Sequence, residues 1–375
     1  MSLIRASGLA RGLSVVSTCL FSLSVVLSAQ TTPAQHYKQT NLVADTPGTA
    51  PVTDPNLVNG WGISRGSTTP WWVSDNGTGV STLYNGSGTP FPPGSPLVVT
   101  IPPADSDHGP TGTPTGQIFN GTSGFQLNGK PATFLFVTED GTLQAWNGGA
   151  AATIMKNTHG ASVFKGMAIA SINDPRSGPS YYLYLADFRN GQVLVFDSSF
   201  NPVRLGRRAF EDLLVPGNFA PFNIQNIGGN LYVAFALPDS QRHDEIDGAG
   251  LGFVDVFSPT GRLLRRLQYG PWFNAPWGLT QAPTDFGQFS HDILVGQFGS
   301  GQILAFDPVT GQFLGRLYDS SNSAITIGGL WGINFGNDGN AGPATTLFFA
   351  AGPGGEQHGL FGTITAVENV LGGDQ

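Results

Sequence analysis

The sequence predicts an all-β protein, a six-bladed β-propeller, and three observations carry that reading. First, 53 Gly and 27 Pro in 375 residues, with only 11% charged side chains, suit short strands joined by many tight turns. Second, one short apolar segment returns six times at a nearly constant interval. Third, each return is followed by further apolar segments bounded by Gly, Asp and Asn, the pattern of antiparallel hairpins.

Composition excludes the alternatives. A helical bundle would need Ala, Glu, Lys and Leu where this chain has Gly and Pro. A disordered chain would lack the 26 Phe, 8 Tyr and 7 Trp found here. The net charge of −8 disfavours nucleic acid and anionic lipid as partners.

The recurring segment reads Gly60-Trp61-Gly62-Ile63, Thr115-Gly116-Gln117-Ile118, Gly166-Met167-Ala168-Ile169, Pro221-Phe222-Asn223-Ile224, Pro276-Trp277-Gly278-Leu279 and Leu330-Trp331-Gly332-Ile333. Its closing aliphatics are separated by 55, 51, 55, 55 and 54 residues. In each unit a second apolar strand and a Gly-containing turn follow. A third strand ends on an aromatic in five units, at Tyr84, Trp146, Phe196, Phe257 and Phe306. A fourth, more basic strand follows in several units, as at residues 263–267 and 313–317, and the clusters Arg204, Arg207, Arg208 and Arg262, Arg265, Arg266 are expected on outer strands. Four antiparallel strands in each of six units describe a propeller. The last unit has only three strands, and an orphan strand at residues 37–43 is expected to pair with it, closing the ring and removing both edges.

Residues 1–29 read as a secretory signal: Arg5 and Arg11 precede an apolar run over 13–27, and Ser28-Ala29-Gln30 offers a small-residue cleavage zone. The propeller then occupies 30–367, with a tail at 368–375. Cys19, the single cysteine, lies inside the signal, so the mature chain is expected to have neither disulfides nor thiol chemistry. A lipoprotein reading of Val16-Ser17-Thr18-Cys19 stays open. The expected protein is a monomer, secreted or periplasmic, with no transmembrane anchor in its mature chain.

In a propeller, the blade-to-blade links and the turns between second and third strands share one face, where ligands most often bind. Asp75, Asn76, His108 and Asp187 fall on that face, while Trp61, Asn223, Trp277 and Trp331 fall on the innermost strands. These eight are the candidate ligand-binding residues. The tryptophans suit stacking on sugar rings and equally suit packing between blades. The fourth unit carries an insertion, Asp239-Ser240-Gln241-Arg242-His243-Asp244-Glu245-Ile246-Asp247-Gly248, with four carboxylates and one His. Oxygen-rich loops suit Ca²⁺ or Mg²⁺, and a His among carboxylates also suits Zn²⁺. Ordinary turn polarity explains the same residues. Glu356-Gln357-His358-Gly359 is expected on the same face, which makes His243, Asp244, Glu356 and His358 the candidate ligands of one divalent cation (Ca, Mg or Zn). Phosphate loops and nucleophile elbows are absent, because the Gly-rich segments precede no helix and no Gly-x-Ser-x-Gly occurs.

These motifs resemble a family of uncharacterised secreted bacterial propellers, many of which end in a PEP-CTERM sorting tag. The matching stretches are Asn59-Gly60-Trp61-Gly62-Ile63, His108-Gly109-Pro110-Thr111-Gly112, Phe119-Asn120-Gly121-Thr122, His243-Asp244, Gly252-Phe253-Val254-Asp255-Val256-Phe257 and His358-Gly359-Leu360-Phe361-Gly362. This chain departs by ending at Glu368-Asn369-Val370-Leu371-Gly372-Gly373-Asp374-Gln375, without the tag. More remotely, the blades look like those of NHL-repeat and gluconolactonase-type propellers, with no catalytic motif in common. The resemblance implies a fold and no activity.

Two functions remain open. One is a binding or interaction module for a small molecule, glycan or envelope protein. The other is a metal-dependent hydrolase or lactonase, with a divalent ion activating water near Asn223 and a loop carboxylate.

Overall fold

The computed structural model describes residues 35–367, Pro175 and Ser177 excepted, so the signal expected over 1–29 and the tail at 368–375 lie outside the described residues. Six small antiparallel sheets form the blades of a propeller. The innermost strands are Gly60–Ser64, Pro114–Phe119, Phe164–Asp174, Ala220–Ile227, Pro276–Gln281 and Leu330–Phe335. Tyr37–Ala44 pairs antiparallel with Leu360–Ala366, from Tyr37 opposite Ala366 to Ala44 opposite Leu360, and so completes the sixth blade as the sequence predicts. No helix among the described residues is long and apolar enough to cross a membrane.

The core is divided. Six apolar clusters lie between neighbouring blades, and a seventh lies on the axis. Each inter-blade cluster is fed by the period-2 alternation of two sheets, as where Trp71, Val73 and Tyr84 of the first blade meet Phe348, Ala350 and Phe361 of the sixth.

Every innermost strand carries a β-bulge at the same repeat position. There the register against the second strand slips, and two residues face one. The extra residues are Trp61, Thr115, Lys165, Phe222, Trp277 and Trp331. A bulge re-aims the side chain it carries, and here the aromatics among them meet on the axis. The next position is Gly in five blades and Asn223 in the fourth. A Cβ on Gly62 would lie 2.5 Å from the Thr115 carbonyl oxygen, and one on Gly332 would lie 2.7 Å from that of Trp61. Glycine is required because adjacent inner strands touch backbone to backbone. This pairing also corrects the repeat register: Gln117 and Met167 occupy the position of Ile63, not Ile118 and Ile169.

The third blade departs from the four-strand pattern. It has three strands, Phe164–Asp174, Gly178–Asp187 and Gln192–Asp197, and the chain beyond Val203 leaves the blade edge. Arg204, Arg207 and Arg208 are therefore on irregular chain rather than on an outer strand: the segment pairs only at Pro202 and Val203, opposite Phe196 and Val195, and then leaves the edge. Arg265 and Arg266 do lie on the fourth blade's outer strand, Leu263–Arg266.

Candidate functional site

The axis is plugged. Trp61 stacks on Trp331 with ring centroids 3.6 Å apart, and Trp277 meets both edge-on at 6.1 and 5.8 Å. Phe298 stacks on Trp331 at 4.1 Å, and Phe222 and Phe188 complete the cluster. All three tryptophans are buried, so their faces are used by one another. Trp331 Nε1 donates to Asn59 Oδ1 at 3.0 Å, and Trp277 Nε1 donates to the Lys165 carbonyl at 3.2 Å. Trp61 Nε1 is buried with no partner among the described residues.

One side of the plug is a small space of about 20 Å³ lined by Gln117, Met167, Asn223, Gln225 and Asn334, among others. That is room for about one water. Asn223, the candidate channel ligand, donates from Nδ2 to the Trp277 carbonyl at 2.7 Å, and its Oδ1 lies against Gly166. It thus fills the gap that glycines leave in the other blades.

The opposite side is charged. Lys165, the only ionisable member of the bulge ring, has a side chain 1% exposed. Its Nζ lies 4.8 Å from the Trp61 ring centroid, donates to Glu139 Oε1 at 2.5 Å and stands 3.6 Å from Asp244 Oδ1. Glu139 comes from the turn between second and third strands of the second blade. Its other oxygen accepts from Asn76 Nδ2 at 2.8 Å. Asp244 belongs to the long insertion, which is ordered by pairing: Glu245–Ile246 extends the second strand opposite Leu237 and Pro238, and Gly248 N donates to Asn274 Oδ1 at 2.6 Å. His243 Nδ1 and Asp244 Oδ1 are 2.8 Å apart, and the His243 backbone N–H donates to Asp239 Oδ1 at 2.9 Å. Arg242 and Glu356 hold φ of +53° and +67°, a left-handed conformation unusual for residues other than glycine.

These groups shift one another's protonation. Burial alone would depress Lys165, but Glu139, Glu245 and Asp244 outweigh it and hold the ammonium above the ordinary lysine value. The hydrogen bond to Asp244 raises His243, and the same bond lowers Asp244. Desolvation pushes Glu245 up to about 7, against the pull of Lys165. Glu356 also rises to about 7, through desolvation first and the negative charge of Glu139 second. Two carboxylates thus contact the one ammonium, and two more, Glu245 and Glu356, feel its charge.

Glu139, His243 and Asp244 offer ligand atoms within 4.8 Å of one another, a spacing a divalent ion accepts. The same space borders the Lys165 ammonium, which already serves two of those carboxylates, so an ion there would stand beside a positive charge.

The remaining expected residues divide clearly. Asn76, His243, Asp244 and Glu356 come together at this mouth. His358 does not: its Nδ1 lies 2.9 Å from Asp45 Oδ2, tying the sixth blade to the loop after the closing strand. Asp75 and Asp187 are buried turn anchors, accepting from the Thr82 N–H at 3.0 Å and from Ser162 Oγ at 3.0 Å. His108 lies in a short 3-10 turn, Ser106–His108, on a blade-to-blade link. Sequence reasoning missed Lys165 and gave Glu139 and Glu245 no role of their own. No sequence signal marked Lys165, because the bulge that aligns it with Trp61 and Trp331 leaves no trace in the apolar pattern.

The fold and site define a six-bladed propeller with an aromatic axial plug and an acidic mouth built around a buried lysine. The chain is 32% identical over 312 residues to the uncharacterized protein R648 of Acanthamoeba polyphaga mimivirus, covering 79% of this chain and 73% of that protein. It is also 32% identical over 295 residues to protein L690 of the same virus, covering 75% and 74%. It belongs to the family that includes these two proteins. They are viral, and they do not speak to the bacterial sorting-tag family that the motifs resemble. No family model matches the chain. Among solved structures, a streptogramin B lyase aligns with 89% of this chain and 98% of its own, at 13% identity and a TM-score of 0.49. Virginiamycin B lyase from Staphylococcus aureus aligns with 89% and 100%, at 10% identity and 0.46.

Proposed function

We propose that this protein is a secreted binding propeller that takes a small positively charged ligand at its acidic channel mouth. One observation supports the reading above others: Glu139 and Asp244 both reach the single Lys165 ammonium while Glu245 and Glu356 lie within range of its charge, leaving surplus negative charge. Desolvation first, and the neighbouring carboxylates after it, raise Glu245 and Glu356 to about 7, so they hold protons that a cation would displace. Ligand uptake is therefore linked to proton release. The axial plug prevents passage and makes the mouth a closed-bottomed site.

The test is calorimetric titration with calcium, magnesium and zinc chlorides and with spermidine, in two buffers of different ionisation enthalpy. Binding that releases protons near pH 7 and weakens at least tenfold in Glu245→Gln supports the reading. Absence of binding by all four probes, with no divalent ion in the purified protein by mass spectrometry, overturns it.

A second reading rests on the same two glutamates. Carboxyls near 7 on one mouth are suited to general acid and base work, and Glu139, His243 and Asp244 would be the ligands of a hydrolase or lactonase metal. A lactone and ester screen with a rate maximum lost in Glu245→Gln and Glu356→Gln would favour that reading.

A further inference from the structure

The third blade is the only one among the described residues whose outer edge is open towards the mouth. Elsewhere that end is covered: Val98–Thr100 pairs with Val80, Ser81 and Thr82 in the first blade, Thr153–Asn157 and Tyr37–Ala44 cover it in the second and sixth, and in the fourth and fifth the Leu267 and Leu317 N–H groups, just past Leu263–Arg266 and Phe313–Arg316, donate to the Val254 and Ile303 carbonyls. In the third blade only the far end of Gln192–Asp197 is covered. Val195 C=O accepts from the Val203 N–H at 2.8 Å, and the Asp197 N–H donates to Asn201 C=O at 2.9 Å. By the two-residue alternation of an antiparallel strand, Val193 faces outward with them. Nothing among the described residues bonds the backbone N–H or C=O of Val193 on that side.

Beside this edge lies a cleft of about 610 Å³, as large as many ligand sites. Its walls are Val193, Leu194, Phe196, Leu205, Phe210 and the fourth blade's Phe235. Arg204 lines the cleft together with Glu211. Exposed Arg207 and Arg208 follow in the same short segment of a chain whose net charge is −8, with Arg208 3.9 Å from Glu211.

We propose that this edge receives an extended acidic segment of a partner protein as the blade's missing fourth strand. The unpaired Val193 backbone supplies ladder hydrogen bonds, the cleft takes alternate apolar side chains, and the arginines select acidic ones between them. This surface is separate from the channel mouth, so the two readings stand or fall independently.

The test uses a dye-labelled peptide of alternating Glu and Val, seven residues long, read by fluorescence anisotropy against the full chain. Its binding should exceed that of the Lys-Val counterpart at least tenfold, and Arg204→Glu with Arg207→Glu should reverse the order. Val193→Pro removes an N–H that has no partner among the described residues, so it should abolish binding without lowering the melting temperature. Should that variant melt early, amide exchange at Val193 in the unaltered protein decides, since strand addition must slow it. Undiminished binding by a peptide N-methylated at alternate residues, no binding of either peptide, or unchanged exchange at Val193 overturns the proposal. Self-association through this edge would overturn it too, by giving the edge to a second copy.

Discussion

Lys165 Nζ and Glu139 Oε1 stand 2.5 Å apart, one on the bulge of the third blade's inner strand and the other on a turn of the second blade. Glu139 is itself buried, so neither charge has water to fall back on. Breaking a buried pair from one side leaves an uncompensated charge, which costs about 3–5 kcal/mol. Lys165→Met is expected to lose that much in urea unfolding. Lys165→Met combined with Glu139→Gln should recover most of it, and additivity of the two single changes would disprove the pairing.

The acidic mouth also sets a pH dependence. Glu245 and Glu356 ordinarily titrate at 4.5 and reach about 7 in the folded protein, so between those values the fold binds more protons than the unfolded chain. Stability therefore falls as pH rises across that window. His243, raised by Asp244, acts in the same direction. Thermal unfolding between pH 4.5 and 8 should show a declining melting temperature. Glu245→Gln should flatten the decline, and an unchanged slope would remove Glu245 as its source.

The ring of close approaches predicts a sharp contrast between glycines. Gly332→Ala forces a Cβ to within 2.7 Å of the Trp61 carbonyl oxygen and should cost about 1–3 kcal/mol. Gly217 has nothing within 4 Å of a Cβ, and Gly217→Ala should stay within about 0.5 kcal/mol. Equal melting temperatures for the two variants would mean that the inner strands are free to separate.

Closure of the ring makes a further demand. Tyr37 and Val43 are buried, and Tyr37 Oη donates to the Phe286 carbonyl at 3.0 Å, reaching the fifth blade. A chain starting at residue 46 loses both side chains, worth about 3–6 kcal/mol together, and bares the edge of Leu360–Ala366. It is expected to melt earlier and to aggregate through that edge. A monomer with unaltered melting would show that the sixth blade stands without its fourth strand.

Much of this was legible in the chain. A period near 54 residues reports a repeat because each blade must bury two faces against like neighbours, and the same apolar pattern must then return. The orphan strand at residues 37–43 was equally legible, since a final unit with three strands leaves an edge to cover. The insertion holding His243 and Asp244 stood out by length and charge alone. What the pattern concealed was register: Ile118 and Ile169 looked like the counterparts of Ile63, and only the bulges place Gln117 and Met167 there. A bulge adds one residue to one strand and leaves no mark on a period-2 pattern.

By itself, then, the sequence determined the fold class, the number of blades, the closing strand and which face would be polar, because all four follow from local periodicity and turn chemistry. Tertiary structure alone decided which polar residues meet. Lys165, Glu139, Asp244 and Glu356 are distributed over the second, third, fourth and sixth blades, and only curvature of the ring brings them to one mouth. It also decided that Trp61, Trp277 and Trp331 fill the axis by packing on one another, that His358 turns away to Asp45, and that the third blade leaves its edge open. Each outcome depends on contacts between residues far apart in the chain, whose distances no local pattern encodes.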